Sequence, residues 1–259
     1  FRNNPNIQIH SQQTDPATWG LTHFAANLYR RGDVQPAQRD LHVVLPQSAL
    51  YSTMLAASAL PFLPSLGRFS FEFAADESTN WLGKLAMQID AKKEDLYDQV
   101  LKKLGDRRSS DRRLCSDTNE LRRYPKPGLF LIDTPKSQCI TGRLCDLSEI
   151  GDRPRNLAVD STMRWATIAL TTLDNAPIAD SHRLLLCAVA NAANTGQINE
   201  AGLLMEMGGV PVLAENVYAT ISINNRHAAD LKVYAVDPLS GARRQKLASQ
   251  ADNGTLTLT

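Results

Sequence analysis

An α/β segment followed by an all-β region is the fold class this sequence predicts, and three observations carry it. Apolar residues recur at helical spacing in the first part of the chain. From residue 114 onward the pattern changes to short β-prone runs separated by turn residues. Between the two lies Gly105-Asp106-Arg107-Arg108-Ser109-Ser110-Asp111-Arg112-Arg113, charged and without apolar period, which reads as an exposed linker.

Taken in order, Asn6 to His10 alternates like a strand, and Thr14-Asp15-Pro16 supplies an N-cap with a Pro suited to a first helical turn. Trp19, Leu21, Phe24, Ala25 and Leu28 then recur as one helix face, which should stop near Arg31-Gly32-Asp33. Leu41 to Leu45 reads as a buried strand ended by Pro46, Gln47 to Leu60 as helical, and Phe69 to Phe73 as a short alternating strand. Lys92 to Leu104 is amphipathic, with Leu96, Val100, Leu101 and Leu104 on one side. These elements predict a small α/β domain over 41–113.

Seven strand candidates follow: Leu129 to Asp133, Arg164 to Leu173, Arg183 to Ala190, Val210 to Leu213, Val217 to Ile223, Leu231 to Val236 and Thr255 to Leu258. Turn residues such as Pro127-Gly128, Asp174-Asn175 and Ser240-Gly241 separate them, and regularly spaced short strands of this kind predict an antiparallel β-sandwich over 114–259. Arg183 to Val189 is apolar almost throughout, as a strand covered on both faces would be.

Composition narrows the function classes. The chain has 259 residues with 28 Lys plus Arg against 27 Asp plus Glu, and 43% hydrophobic residues, which excludes disorder, collagen and coiled coil. A net charge of +1 carries no broad electrostatic footprint for nucleic acid or an anionic membrane. Apolar stretches such as Met54 to Leu63 are broken by Ser58 and Pro61 and fall far short of the roughly 20 residues of a membrane-spanning helix. The chain opens on Phe1 without a leader-type segment, so the expectation is a processed product or a fragment. Cys115, Cys139, Cys145 and Cys187 include no C-x-x-C pair, and free, mostly buried thiols are expected.

The motif scan yields no catalytic residue, no metal site and no cofactor site. There is no P-loop, dinucleotide fingerprint, H-E-x-x-H, EF-hand loop or G-x-S-x-G elbow. His10, His23, His42, His182 and His227 are widely scattered and read as surface or satisfied core residues. Arg31-Gly32-Asp33 matches an integrin-type tripeptide, but Gly32 stands where a helix should end, which makes a structural role the expectation. Asn253-Gly254-Thr255 matches a glycosylation acceptor and equally reads as a hairpin turn. Glycosidase chemistry needs two carboxylates about 5 to 10 Å apart. The acidic candidates in the β half are Asp133, Glu206, Glu215 and Asp237, whose spacing brings no two together and which read as turn or surface groups.

Four segments in order resemble the region following the catalytic barrel in large bacterial glycoside hydrolases related to β-galactosidases and cellulase-like enzymes of the (β/α)8 clan. They are Asp15-Pro16 through Ala37; Ser116 to Arg122 leading to Gly128-Leu129-Phe130-Leu131-Ile132-Asp133-Thr134-Pro135-Lys136-Ser137-Gln138; Ala166 to Asp174 with Pro177 to Leu186 and Ala193-Asn194-Thr195-Gly196; and Gly208 to Val217. The resemblance implies that 1–40 is the last strand and helix of a (β/α)8 barrel, ahead of the small α/β domain and the sandwich. It also implies that the catalytic glutamates lie upstream of Phe1, and that the chain is a secreted or cell-surface, non-catalytic part of a glycoside hydrolase that supports the barrel. The partners so implied are an upstream catalytic barrel chain or domain and a polysaccharide, with a homo-oligomer open. The rival from another class is a stand-alone carbohydrate-binding or assembly protein, for which Trp165, Tyr218 and Tyr234 are the candidate stacking residues, each read first as core or strand packing. A complete small hydrolase built on Asp133 or Glu206 is the third option.

Overall fold

The computed structural model describes residues 20–38, 40–46, 67–74, 86–88, 113–124, 126–200, 203–237 and 240–259. The expected Asn6 to His10 strand, the Gln47 to Leu60 and Lys92 to Leu104 helices and nearly all of the charged linker lie outside these residues. The described chain is β-rich and divides into two compact units, one of residues 34–126 and one of residues 1–33 with 127–259.

In the 34–126 unit, β1 (Asp40–Pro46) is flanked by β2 (Arg68–Ala74) and β3 (Ala86–Gln88) in a parallel sheet of order β2-β1-β3. Val43 stands opposite both Phe71 and Met87. β4 (Leu114–Cys115) and β5 (Leu121–Tyr124) form an antiparallel pair closed by Ser116, whose Oγ accepts the N–H groups of Glu120 and Leu121. The same turn grips the start of the unit, because Gln35 and Gln38 donate their backbone N–H to Glu120 and Asp117 at 2.7 and 2.6 Å.

Among the described residues of the other unit, α1 (Thr22–Arg30) buries Phe24 and packs against the strand Ala166–Thr172. The helix ends as its sequence predicts. Gly32 adopts φ +60°, its N–H bonds to Tyr29 O and that of Asp33 to Leu28 O, the paired closure that a glycine just past a helix permits.

β6 (Leu129–Asp133), β7 (Ser137–Gly142), β9 (Ala166–Thr172) and β10 (Leu184–Val189) follow the antiparallel order β10-β9-β7-β6, while β8 (Leu157–Asp160) joins a different sheet. Leu131, Ile140, Ile168 and Leu170 have no exposed surface, and burying each contributes about 1.5–3 kcal/mol. β9, between β7 and β10, is buried at every residue but one. β10 corrects an expectation: its apolar run suggested cover on both faces, yet it is half-exposed along its length because it ends the strand order of the described residues, with β9 as its hydrogen-bonded neighbour. β7 was not foreseen, since Ser137-Gln138 after Pro135-Lys136 reads as a continuing turn. Thr134 closes that hairpin, donating its N–H and its hydroxyl to Ser137 O.

The second antiparallel sheet has the order β18-β19-β15-β8, with β15 (Thr220–Asn224), β18 (Gln250–Asp252) and β19 (Thr255–Leu258). β8 alternates buried Leu157 and Val159 with exposed Ala158 and Asp160, the mark of a strand with one covered face. Asn253 and Gly254 join β18 to β19 with φ of +47° and +78°, the hairpin turn that dipeptide predicts. Two thin ribbons complete the unit. One is a long hairpin in which β11 (Ala192–Thr195) pairs with β14 (Gly209–Ala214) and, further out, β12 (Ile198–Glu200) pairs with β13 (Leu203–Glu206). The other pairs β16 (Tyr234–Val236) with β17 (Arg243–Lys246).

Candidate functional site

Two buried polar clusters organise the larger unit. In the first, the Arg31 guanidinium forks onto Asp33, Nε to Oδ1 at 3.1 Å and NH2 to Oδ2 at 2.6 Å. It also donates to Thr172 O at 2.6 Å, Thr171 Oγ1 at 2.7 Å and Ser137 Oγ at 3.1 Å. The Asp33 side chain is only 1% exposed. The tripeptide that resembles an integrin ligand is therefore turned into the sheet, where it fastens the end of α1 to β7 and β9.

In the second cluster, Asp133 Oδ1 accepts Gln138 Nε2 at 3.0 Å and both the backbone N–H and Nε of Arg155 at 3.2 Å. Gln138 Oε1 in turn accepts the Asn156 N–H at 3.0 Å, and Asn156 Nδ2 reaches Asn224 O at 3.0 Å. This chain of amides ties β6 and β7 to β8 and β15. Buried Asn225 adds another tie, donating to Ile178 O at 2.5 Å and Ser181 O at 2.9 Å while accepting the His227 N–H at 2.7 Å.

The acidic candidates take separate places. Asp133 is committed to the amide cluster, Asp237 pairs with Arg244 and caps the Ser240 N–H, Glu215 accepts Asn191 Nδ2 at 2.9 Å, and Glu206 stands exposed on β13. Among the described residues no cluster of three or more His, Cys, Asp or Glu could hold a metal ion.

Sequence reasoning gave no reason to group any histidines, yet the rings of His182 and His227 lie 3.8 Å apart between centroids. His182 follows the Asp174 turn, and His227 follows Asn225, so two unrelated turns deliver them. At Asp174, burial acts to raise the carboxyl's pKa but is outweighed by bonds from Ser181 Oγ and the N–H groups of His182 and Ala176, leaving it below the usual value. The Arg143 side chain bonded to Asp146 lowers that carboxyl, with help from the Cys145 thiol.

All four cysteines are free, as expected, and two of them, Cys115 and Cys139, are buried. Burial, with Cys187 nearby, pushes the Cys139 thiol up to about 12, and burial pushes that of Cys187 to about 11.

The aromatic candidates overturn the packing expectation in two of three cases. Trp165 is 50% and Tyr218 69% exposed, whereas Tyr234 is half-buried in β16 beneath the Arg243 guanidinium. The reason lies in their placement outside the strands. Thr220 pairs with Asp160, so the loop leaving β8 and the loop entering β15 emerge at one end of their sheet. Ser161 Oγ donates to Tyr218 O at 2.6 Å and the Tyr218 N–H meets Met163 Sδ at 3.2 Å, which joins the loops that carry the two rings. Two aromatic side chains are thus exposed on adjoining, hydrogen-bonded loops.

Comparison with protein-family models, with curated proteins and with solved structures finds no match. No helix among the described residues is long and apolar enough to cross a membrane.

Proposed function

We propose that this chain is the non-catalytic portion of a bacterial glycoside hydrolase acting on poly- or oligosaccharides outside the cell or at its surface. In this reading the α1 region is the end of a (β/α)8 barrel, residues 41–113 form a small α/β domain, the antiparallel sheets of 114–259 form a β-sandwich, and the catalytic glutamates belong to an upstream barrel chain or domain. The sandwich supports that barrel and holds glycan beside it. The observation that carries the sugar-directed part is the exposed pair Trp165 and Tyr218 on joined loops. Two of the segments that carry the resemblance form strands in keeping with it: Leu129 to Gln138 makes β6, the Thr134 turn and the start of β7, and Ala166 to Thr172 makes β9.

The test is retention on insoluble polysaccharides, comparing the chain with Trp165→Ala and Tyr218→Ala. Both residues are exposed, so the variants should fold and lose retention; unchanged retention, or none by the parent chain on any glycan, would overturn the sugar-binding role. The rival reading, a stand-alone carbohydrate-binding protein, rests on the same two aromatics. Native mass spectrometry of material from the source separates them: a co-purifying barrel polypeptide supports the hydrolase reading, and an unaccompanied 28.5 kDa species, or a homo-oligomer of it, supports the rival.

A further inference from the structure

β14, on the long hairpin, is among the least covered strands of the described residues, together with β17 and β18. β14 is exposed at every residue, with Val210 90% and Leu213 56% exposed, and Ile198, Met205 and Met207 on the same hairpin are exposed as well. A two-stranded ribbon in water is marginally stable by itself and needs a further layer on an apolar face. Several large apolar side chains exposed together on one short hairpin suit an interaction site. Strand addition at its edge is disfavoured, because Pro211 in β14 lacks an N–H to offer a neighbour. The cover must come onto the face.

Charge says what covers it. Residues 191–215 contain Glu200, Glu206 and Glu215 and no Lys, Arg or His. The β16–β17 ribbon has the opposite character. Lys232, Arg243, Arg244 and Lys246 are exposed there against the single Asp237, beside exposed Val236 and Leu247. Both ribbons offer apolar side chains rimmed by charge, of opposite sign, and both are open, so neither covers the other within one chain. Two complementary patches on one chain can be satisfied twice over by a second copy across a two-fold axis. The net charge of +1 puts no long-range repulsion in the way.

We propose that the 191–215 hairpin of one chain docks on the β16–β17 ribbon of a second copy, the contact being made twice across a two-fold axis. Apolar side chains of β14 cover Val236 and Leu247 of the other copy, while Glu206 and Glu215 face the Arg and Lys side chains.

Sedimentation of the 259-residue chain at low salt and about 100 μM, where a micromolar contact is saturated, should give a species of twice 28.5 kDa that dissociates as salt is raised. A Val210→Asp/Leu213→Asp variant, altered only at exposed positions, should keep its circular dichroism and weaken the association about a hundredfold. Charge reversal adds a test of which surfaces meet. Arg243→Glu/Lys246→Glu and Glu206→Lys/Glu215→Lys should each be monomeric alone and should pair when mixed, since only the mixture opposes unlike charges at both contacts. A parent chain that stays at 28.5 kDa, a dimer that survives Val210→Asp/Leu213→Asp, or charge variants that ignore each other when mixed would each overturn the proposal. Retention on polysaccharide through Trp165 and Tyr218 is read separately, so either idea can fail without the other.

Discussion

Replacing Arg31 with alanine is the sharpest probe of how the larger unit is held together. The substitution removes a bidentate pair to Asp33 and donors to Thr172 O, Thr171 Oγ1 and Ser137 Oγ, in a place where the Asp33 side chain is 1% exposed. Breaking a buried ion pair by removing one partner typically costs about 3–5 kcal/mol, because the other charge is left without its counterion. Asp33 keeps one partner, the Ser137 hydroxyl at 2.7 Å, and a hydrogen bond to a charged group contributes about 1.5–3 kcal/mol. The expected loss therefore sits at the low end, about 3 kcal/mol. Urea unfolding followed by circular dichroism reads it as a lower midpoint at unchanged slope. Arg31→Lys should recover only part, since one ammonium cannot reproduce a planar fork that reaches Asp33, Ser137, Thr171 and Thr172 together. Arg31→Met/Asp33→Ala should be milder than Arg31→Ala alone, because no charge remains buried. A loss under about 1 kcal/mol for Arg31→Ala, the range of exposed pairs, would refute the reasoning and return the tripeptide to the surface.

The remaining expectations concern single contacts. Gly142 has φ +124°, and a Cβ there would stand 2.0 Å from Gly128 O, so Gly142→Ala should destabilise the β6–β7 pair by more than the roughly 1–2 kcal/mol of a left-handed residue alone; thermal melting within 2 °C of the parent, a scale set by size, would contradict this. Cys139 and Cys187, with thiols pushed up to about 12 and about 11, should stay unlabelled by a thiolate-selective reagent near pH 8 in the folded chain and react once guanidinium unfolds it; fast labelling of Cys139 in the native state would show that its burial is wrong. Asp146 and Asp174 have depressed folded values, so their contribution to stability is present above the unfolded carboxylate value of 3.8 and is lost as pH falls through the folded values. Asp174→Asn should flatten the acid limb of a stability profile below about pH 4, and an unchanged limb would remove Asp174 from that role.

Local signals in the sequence were sufficient where one residue or a short period decides the backbone. Gly32 ends α1 because few other residues tolerate its φ, and Asn253-Gly254 makes the β18–β19 turn for the same reason. The alternation of Phe69 to Phe73 and the runs of Leu41 to Leu45, Leu129 to Asp133 and Arg164 to Leu173 appear as β2, β1, β6 and, over Ala166–Thr172, β9. β7 escaped because its opening residues Ser137 and Gln138 are polar, and they are buried only because Arg31, Asp33 and Asn156 arrive from distant parts of the chain to satisfy them.

The candidate sites were less legible for the same reason. Trp165 and Tyr218 are ordinary strand-type residues until the pairing of Asp160 with Thr220 brings their loops to one end of a sheet, and His182 and His227 meet where Asn225 and Arg226 tie two turns together. The sequence by itself determined that this is a β-rich chain of near-neutral charge, where its helix stops and where several of its strands run, since those properties depend on neighbours within a few residues. Only the tertiary structure decided that Arg31 and Asp33 face inward, that Asp133 is a tie between sheets, and that one hairpin is left bare, because exposure and charge pairing are fixed by residues as many as 141 positions apart along the chain.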